Sequence, residues 1–129
     1  KLGNLIMRTL TLAATLACLT APAWAQPPAC TGRQVASREF VESFNAASSA
    51  MTRLDYAGAL TLTALARPHA TSVMLQSAVT QIEAAAYVGL DDRPAASARM
   101  RSALSDPCLP PAVHATYIEK LAEWGMSAN

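Results

Sequence analysis

Three cysteines, two histidines, a carboxylate pair and a serine pair are the residues of this chain whose types could do chemistry. Cys108 and His114 stand six residues apart, and His69 is the only other imidazole. No Cys-x-x-Cys or His-Glu-x-x-His spacing accompanies them, so the pattern predicts no metal site. Asp91 and Asp92 are adjacent carboxylates, but acid–base work needs two groups whose environments split their pKa values. These two fall in a predicted turn just before Pro94, where capping a helix explains them. Ser48-Ser49 has no nucleophile-elbow motif around it. Arg67, Arg93, Arg99 and Arg101 read as a thin basic scatter on a solvated face rather than a phosphate site. No Gly-rich loop could hold a nucleotide. The sequence therefore predicts no catalytic constellation, no metal and no cofactor.

Cys30 and Cys108 remain as a pair with a redox meaning. Cys18 lies in an apolar segment, residues 9–20, which follows Met7-Arg8 and precedes Ala21-Pro22-Ala23-Trp24-Ala25. A basic start, a short apolar run and small residues at Ala23 and Ala25 predict a secretory signal over 7–25, cleaved before Gln26. Residues 1–6 precede it as an upstream segment outside the fold. A buried N-terminal helix is the competing reading, and lipidation at Cys18 a weaker one, because Thr15 stands where a lipobox expects Leu. With Cys18 removed the count is even, and in an exported chain Cys30 and Cys108 predict a disulfide. Such a bond would contribute about 4 kcal/mol by constraining the unfolded chain. Two free thiols are the alternative. The expected compartment is periplasmic or secreted.

Composition limits the rest. The chain has 129 residues, a formal net charge of +1 and 15% charged residues. That is one domain, with no basic excess for nucleic acid. The predicted domain, residues 26–129, carries 8 basic and 9 acidic side chains.

The elements that must position these residues read as helices. Phe40, Phe44, Ala47, Met51 and Leu54 recur at spacings of 4, 3, 4 and 3, predicting a first helix over 35–52. Asp55 offers the cap of a second helix over 56–67, with Tyr56, Ala59, Leu60 and Thr63 on one face and Pro68 as its stop. The third, over 71–88, buries Leu75, Ala78, Val79, Ile82, Ala85 and Ala86, is capped by Thr71 or Ser72, and uses Gly89 as its left-handed end. The fourth runs from Asp91-Asp92-Arg93-Pro94 to about residue 105, burying Ala95 or Ala96, Met100, Ala103 and Leu104. The fifth, over 112–124, places Val113, Tyr117, Leu121 and Trp124 on one side and ends at Gly125. No strand pattern competes. The expected fold is all-α, with about five antiparallel helices stapled by one disulfide.

An internal echo refines this. Asp55-Tyr56-Ala57-Gly58-Ala59-Leu60 parallels Asp91-Asp92-Arg93-Pro94-Ala95-Ala96, with Ala59 and Ala95 36 residues apart. Repeats of that length mean stacked helical hairpins. Residues 76–109 resemble a tetratricopeptide repeat through Ala85-Ala86-Tyr87, the turn at Asp91, small Ala95 and Ser102, and Pro107. The family's early Trp, Leu and Gly are missing. A closed five-helix bundle is the alternative architecture. In a regular solenoid the two cysteines would lie about two repeats apart, out of bridging range unless the leader folds back.

The resemblance implies a protein-binding groove lined by the first helix of each hairpin: Phe44 and Ser48, then Ser77, Thr80, Ala84 and Tyr87. Independently, Tyr117, Ile118, Leu121 and Trp124 exceed what one helix face can bury, and make Tyr117 and Trp124 candidate interaction anchors. The expected function is an exported, non-enzymatic protein-interaction module. A periplasmic stress chaperone or an immunity-type inhibitor of a toxic enzyme is the second reading, and a small enzyme the third.

Overall fold

A computed structural model of the chain describes residue 30 and residues 35–127. The expected signal segment, its cleavage point and Cys18 lie outside the described residues. Those residues form five α-helices and, among them, no strand. In order they are α1 (Arg38–Thr52), α2 (Tyr56–Ala66), α3 (Val73–Gly89), α4 (Arg93–Leu104) and α5 (Pro111–Glu123), with a 3-10 turn, Arg67–His69, after α2.

Side-chain caps set most of the starts. Ser37, Asp55, Ser72 and Asp92 each accept from the backbone N–H three residues on, at 3.2, 2.9, 3.2 and 3.1 Å. This satisfies a donor that the first helical turn leaves orphaned. Ser37 therefore starts α1 three residues later than expected. At Gly58 a Cβ would collide with the capping carboxylate of Asp55. Pro68 does not end the helical path; the chain tightens through it into the 3-10 turn.

The two hairpins close identically. Leu54 and Asp91 adopt left-handed backbones, φ 60° and 59°. The next residue, Asp55 or Asp92, donates its N–H to the carbonyl of Ala50 or Tyr87 at 2.8 Å, and then caps the following helix. These are Schellman closures, and Gly125 (φ 69°) makes a third at the end of α5. Two expectations are corrected. Gly89 is helical, and its missing Cβ makes room for the ring of Tyr56. Leu54 is the turn residue, exposed, and not part of the core face. The hairpin equivalence thus pairs Asp55 with Asp92 and buried Ala59 with buried Ala96. It runs at 37 residues rather than 36, three more than the 34 of a tetratricopeptide repeat.

Helix directions follow from the packing. Phe40 and Phe44 near the start of α1 meet Ala66 at the end of α2 and Leu75 and Val79 in the first half of α3. Ala50 and Met51 meet Tyr56, Ala59, Ile82 and Ala86. Hence α1 and α3 are parallel, and α2 runs against both. The third cluster joins Ala84, Tyr87 and Val88 of α3 to Ala96 and Met100 of α4 and to Tyr117 and Leu121 of α5. Most of the buried apolar residues described are alanines, which let helix backbones approach closely.

This makes α3 central and buried on two sides. Val79 and Ala86 face α1 and α2 as the periodicity predicted. Ser77 and Ala84 are buried as well, against the later helices, and Thr80 and Glu83 between α2 and α4, whereas Ala85 is exposed.

Cys30 and Cys108 are bonded, S–S 2.07 Å and Cα–Cα 5.2 Å. The starts of α1 and α3 pack together, and the α4–α5 connection borders the start of α3. The bond fixes Cys30 to that end of the molecule.

Candidate functional site

Glu83 is the single charged residue of α3. Its side chain is 4% exposed. A carboxylate taken that far from water needs partners, and two arginines supply them. Arg67, the first residue of the 3-10 turn, donates Nε to Glu83 Oε1 at 3.1 Å and brings Nη2 to Oε2 at 3.0 Å. The same Nη2 donates to Thr80 Oγ1 at 3.1 Å. Arg99, midway along α4, sets Nε 2.9 Å from Glu83 Oε2. Their side chains remain 33% and 47% exposed. One carboxylate on α3 is thus clasped from α2 and α4, and the cluster carries one surplus positive charge.

The clasp straddles a trough floored by α3. On one side lies a cavity of about 440 Å³, lined by Leu60, Ala64, Pro68 and Tyr87 with the charged cluster. On the other lies a smaller, more polar one of about 150 Å³, bounded by Gln76, Ser77, Thr80, Ser102 and Asp106. Arg67 and Arg99 border both. Guanidiniums in this setting can hold an anionic oxygen acceptor.

A second concavity, about 300 Å³ and mainly apolar, lies between α3 and α5, against Ala85, Val88, Met100, Thr116 and Trp124. Lys120 sits at its edge, its ammonium 2.7 Å from Glu123. That hydrogen bond and the Glu123 charge hold its pKa above the ordinary 10.5.

The residues expected to line one groove do not share one surface. Ala84 and Tyr117 are wholly buried, because α4 and α5 cover that side of α3; Ser77 is nearly so under Tyr117, and Thr80 beside Arg67. Tyr117 is a core strut rather than a surface anchor. Its hydroxyl donates to the Ser77 carbonyl at 3.1 Å, and Ser77 Oγ lies 2.6 Å from the phenol oxygen. Phe44, half-buried, stacks on Phe40 at 5.3 Å, and Ser48 is half-buried elsewhere on α1. Tyr87 and Thr80 line the α2–α4 trough; Trp124 lines the α3–α5 concavity. The open stripe of α3 is Met74, Gln81 and Ala85.

Among the arginines, sequence reading missed the convergence of Arg67 and Arg99. Arg93 is exposed, and Arg101 donates to the Ser127 carbonyl at 2.8 Å. The available signal was Glu83, a lone carboxylate in a 17-residue helix otherwise without charge. His69 and His114 are exposed, and Asp92 is a helix cap. Among the described residues no group of three His, Cys, Asp or Glu could hold a metal ion. No helix there is long and apolar enough to cross a membrane.

No known protein family, curated protein or solved structure matches this chain.

Proposed function

We propose that this protein is an exported, non-enzymatic interaction module built from helical hairpins, and that it binds another protein through the trough between α2 and α4. The observation that carries this reading is the make-up of the trough. It joins an aromatic ring, Tyr87, and the aliphatic wall of Leu60 and Ala64 to two partly exposed arginine side chains on a buried support. Aromatic and arginine side chains are the residue types that dominate binding at protein interfaces. The floor is preorganised, since Arg67, Glu83 and Arg99 tie the turn after α2 to α3 and α4. The Cys30–Cys108 bond supports an oxidising compartment. The Tyr87–Ala96–Met100 packing and the matched hairpin closures support a hairpin stack, the architecture that the tetratricopeptide resemblance implies.

The test is capture from an envelope extract by the oxidised full chain. Tyr87→Ala is expected to weaken retention of the captured protein about tenfold or more while leaving the helical circular dichroism intact. Turnover of a substrate by the purified protein, with no partner retained, would remove the reading.

A further inference from the structure

Resting on the trough as the ligand surface, we propose that Arg67 and Arg99 form a carboxylate-binding site, and that the partner segment seated there presents an acidic side chain. The cluster sets two guanidiniums against one carboxylate. Glu83 neutralises one of them and leaves a single positive charge facing a cavity. Each guanidinium has five N–H donors in a planar fork. Contacts to Glu83 and Thr80 engage Nε and Nη2 of Arg67 and Nε of Arg99, so both retain capacity for another acceptor. With 33% and 47% of their side chains exposed, both are reachable from the trough. Glu83 borders the cavity too, but at 4% its carboxylate is almost entirely covered by its partners. It acts as the support that aims the arginines, not as a competitor at the surface.

Charge and shape choose the ligand class. A surplus of one charge matches a monoanion. A phosphate dianion would set its second charge near Glu83, and Asp106 borders the trough's other end. The walls beside the arginines are carbon: Leu60, Ala64, Pro68 and the Tyr87 ring. They suit a peptide that lays apolar side chains next to its acidic one. The chain as a whole, at net +1, has no basic field for nucleic acid. An acidic peptide fits both the charge and the wall.

The probe is N-acetyl-Leu-Glu-Leu amide, titrated into the oxidised full chain and followed on the arginine Nε–H resonances by NMR. Its Gln counterpart and inorganic phosphate serve as controls. The expected result is saturable shifts at Arg67 and Arg99, with the Gln peptide at least about tenfold weaker and phosphate weaker than the Glu peptide. Arg99→Gln should abolish the shift at Arg67. Glu83→Gln doubles the surplus charge and should tighten the peptide, a gain that a purely structural cluster would not give. Should Glu83→Gln fail to fold, Arg99→Lys decides: it keeps the charge, loses the fork, and is expected to bind more weakly than wild type. Unmoved arginine resonances, equal binding of the Gln peptide, or preference for phosphate each overturn the carboxylate site. None of these touches the interaction-module reading, which falls if the purified protein turns over a substrate and the extract yields no partner.

Discussion

Leu54 holds a left-handed backbone, φ 60°, with 69% of its surface in water. A Cβ in that region costs about 1–2 kcal/mol, and an exposed side chain gives little back. Leu54→Gly should therefore raise stability by up to about 1 kcal/mol, the remainder being lost to the freer unfolded chain. Urea unfolding checks it, and a drop would mean that the Leu54 side chain packs on something in solution. Ser97 offers a second case: it is wholly buried in α4, and among the described residues its hydroxyl has no hydrogen-bond partner. A desolvated hydroxyl without a partner costs about 1–3 kcal/mol, so Ser97→Ala should stabilise by roughly 1 kcal/mol in the same assay. At this scale the site was only half legible. Glu83 is the one charge in α3, a signal the sequence reading passed over, and its partners lie sixteen residues before and sixteen after it. No local periodicity links such positions; they meet only because α2 and α4 flank α3.

The helices were legible because their signals are local. Capping residues, the stop at Gly125 and apolar spacings of three and four act within one or two turns. Faces were legible only where a helix packs on one side. In α5, Tyr117 and Leu121 are buried as the spacing predicts. In α3, the single apolar stripe hid a second buried side made of Ser77, Thr80, Glu83 and Ala84, small or polar residues that no hydrophobic count selects. The same central position grades the cost of truncation. Ile82 is only partly covered, whereas Leu121 is wholly buried among α3, α4 and α5 side chains. Leu121→Ala should cost about 2–5 kcal/mol and Ile82→Ala the lower end of that range or less. A reversed order in thermal unfolding would show α5 to be loosely held. The hairpin closures make a matching prediction: Asp92→Ala removes the 3.1 Å cap of α4 and should cost about 1 kcal/mol.

The described residues have a thin core for their number. Among them, eight of thirteen buried apolar residues are alanines, which remove little surface from water. The last helix, α5, follows a connection stiffened by Pro107 and Pro110 and begins at Pro111. What holds α5 is the burial of Tyr117 and Leu121, the bond pair between Tyr117 and Ser77, and the disulfide at the root of the connection. That disulfide spans 78 residues, most of the described chain. A loop of that size takes much freedom from the unfolded state, and the loss should show as about 2–4 kcal/mol when both cysteines become serine. For a domain of this size that is on the order of 10–20 °C in the unfolding midpoint. Native helicity should survive at room temperature, because none of the helix–helix contacts passes through the sulfurs. A midpoint that does not move would mean that the unfolded chain is already compact enough to keep residues 30 and 108 together. A loss of helicity would mean that the five helices, with so many alanines between them, cannot hold without the staple.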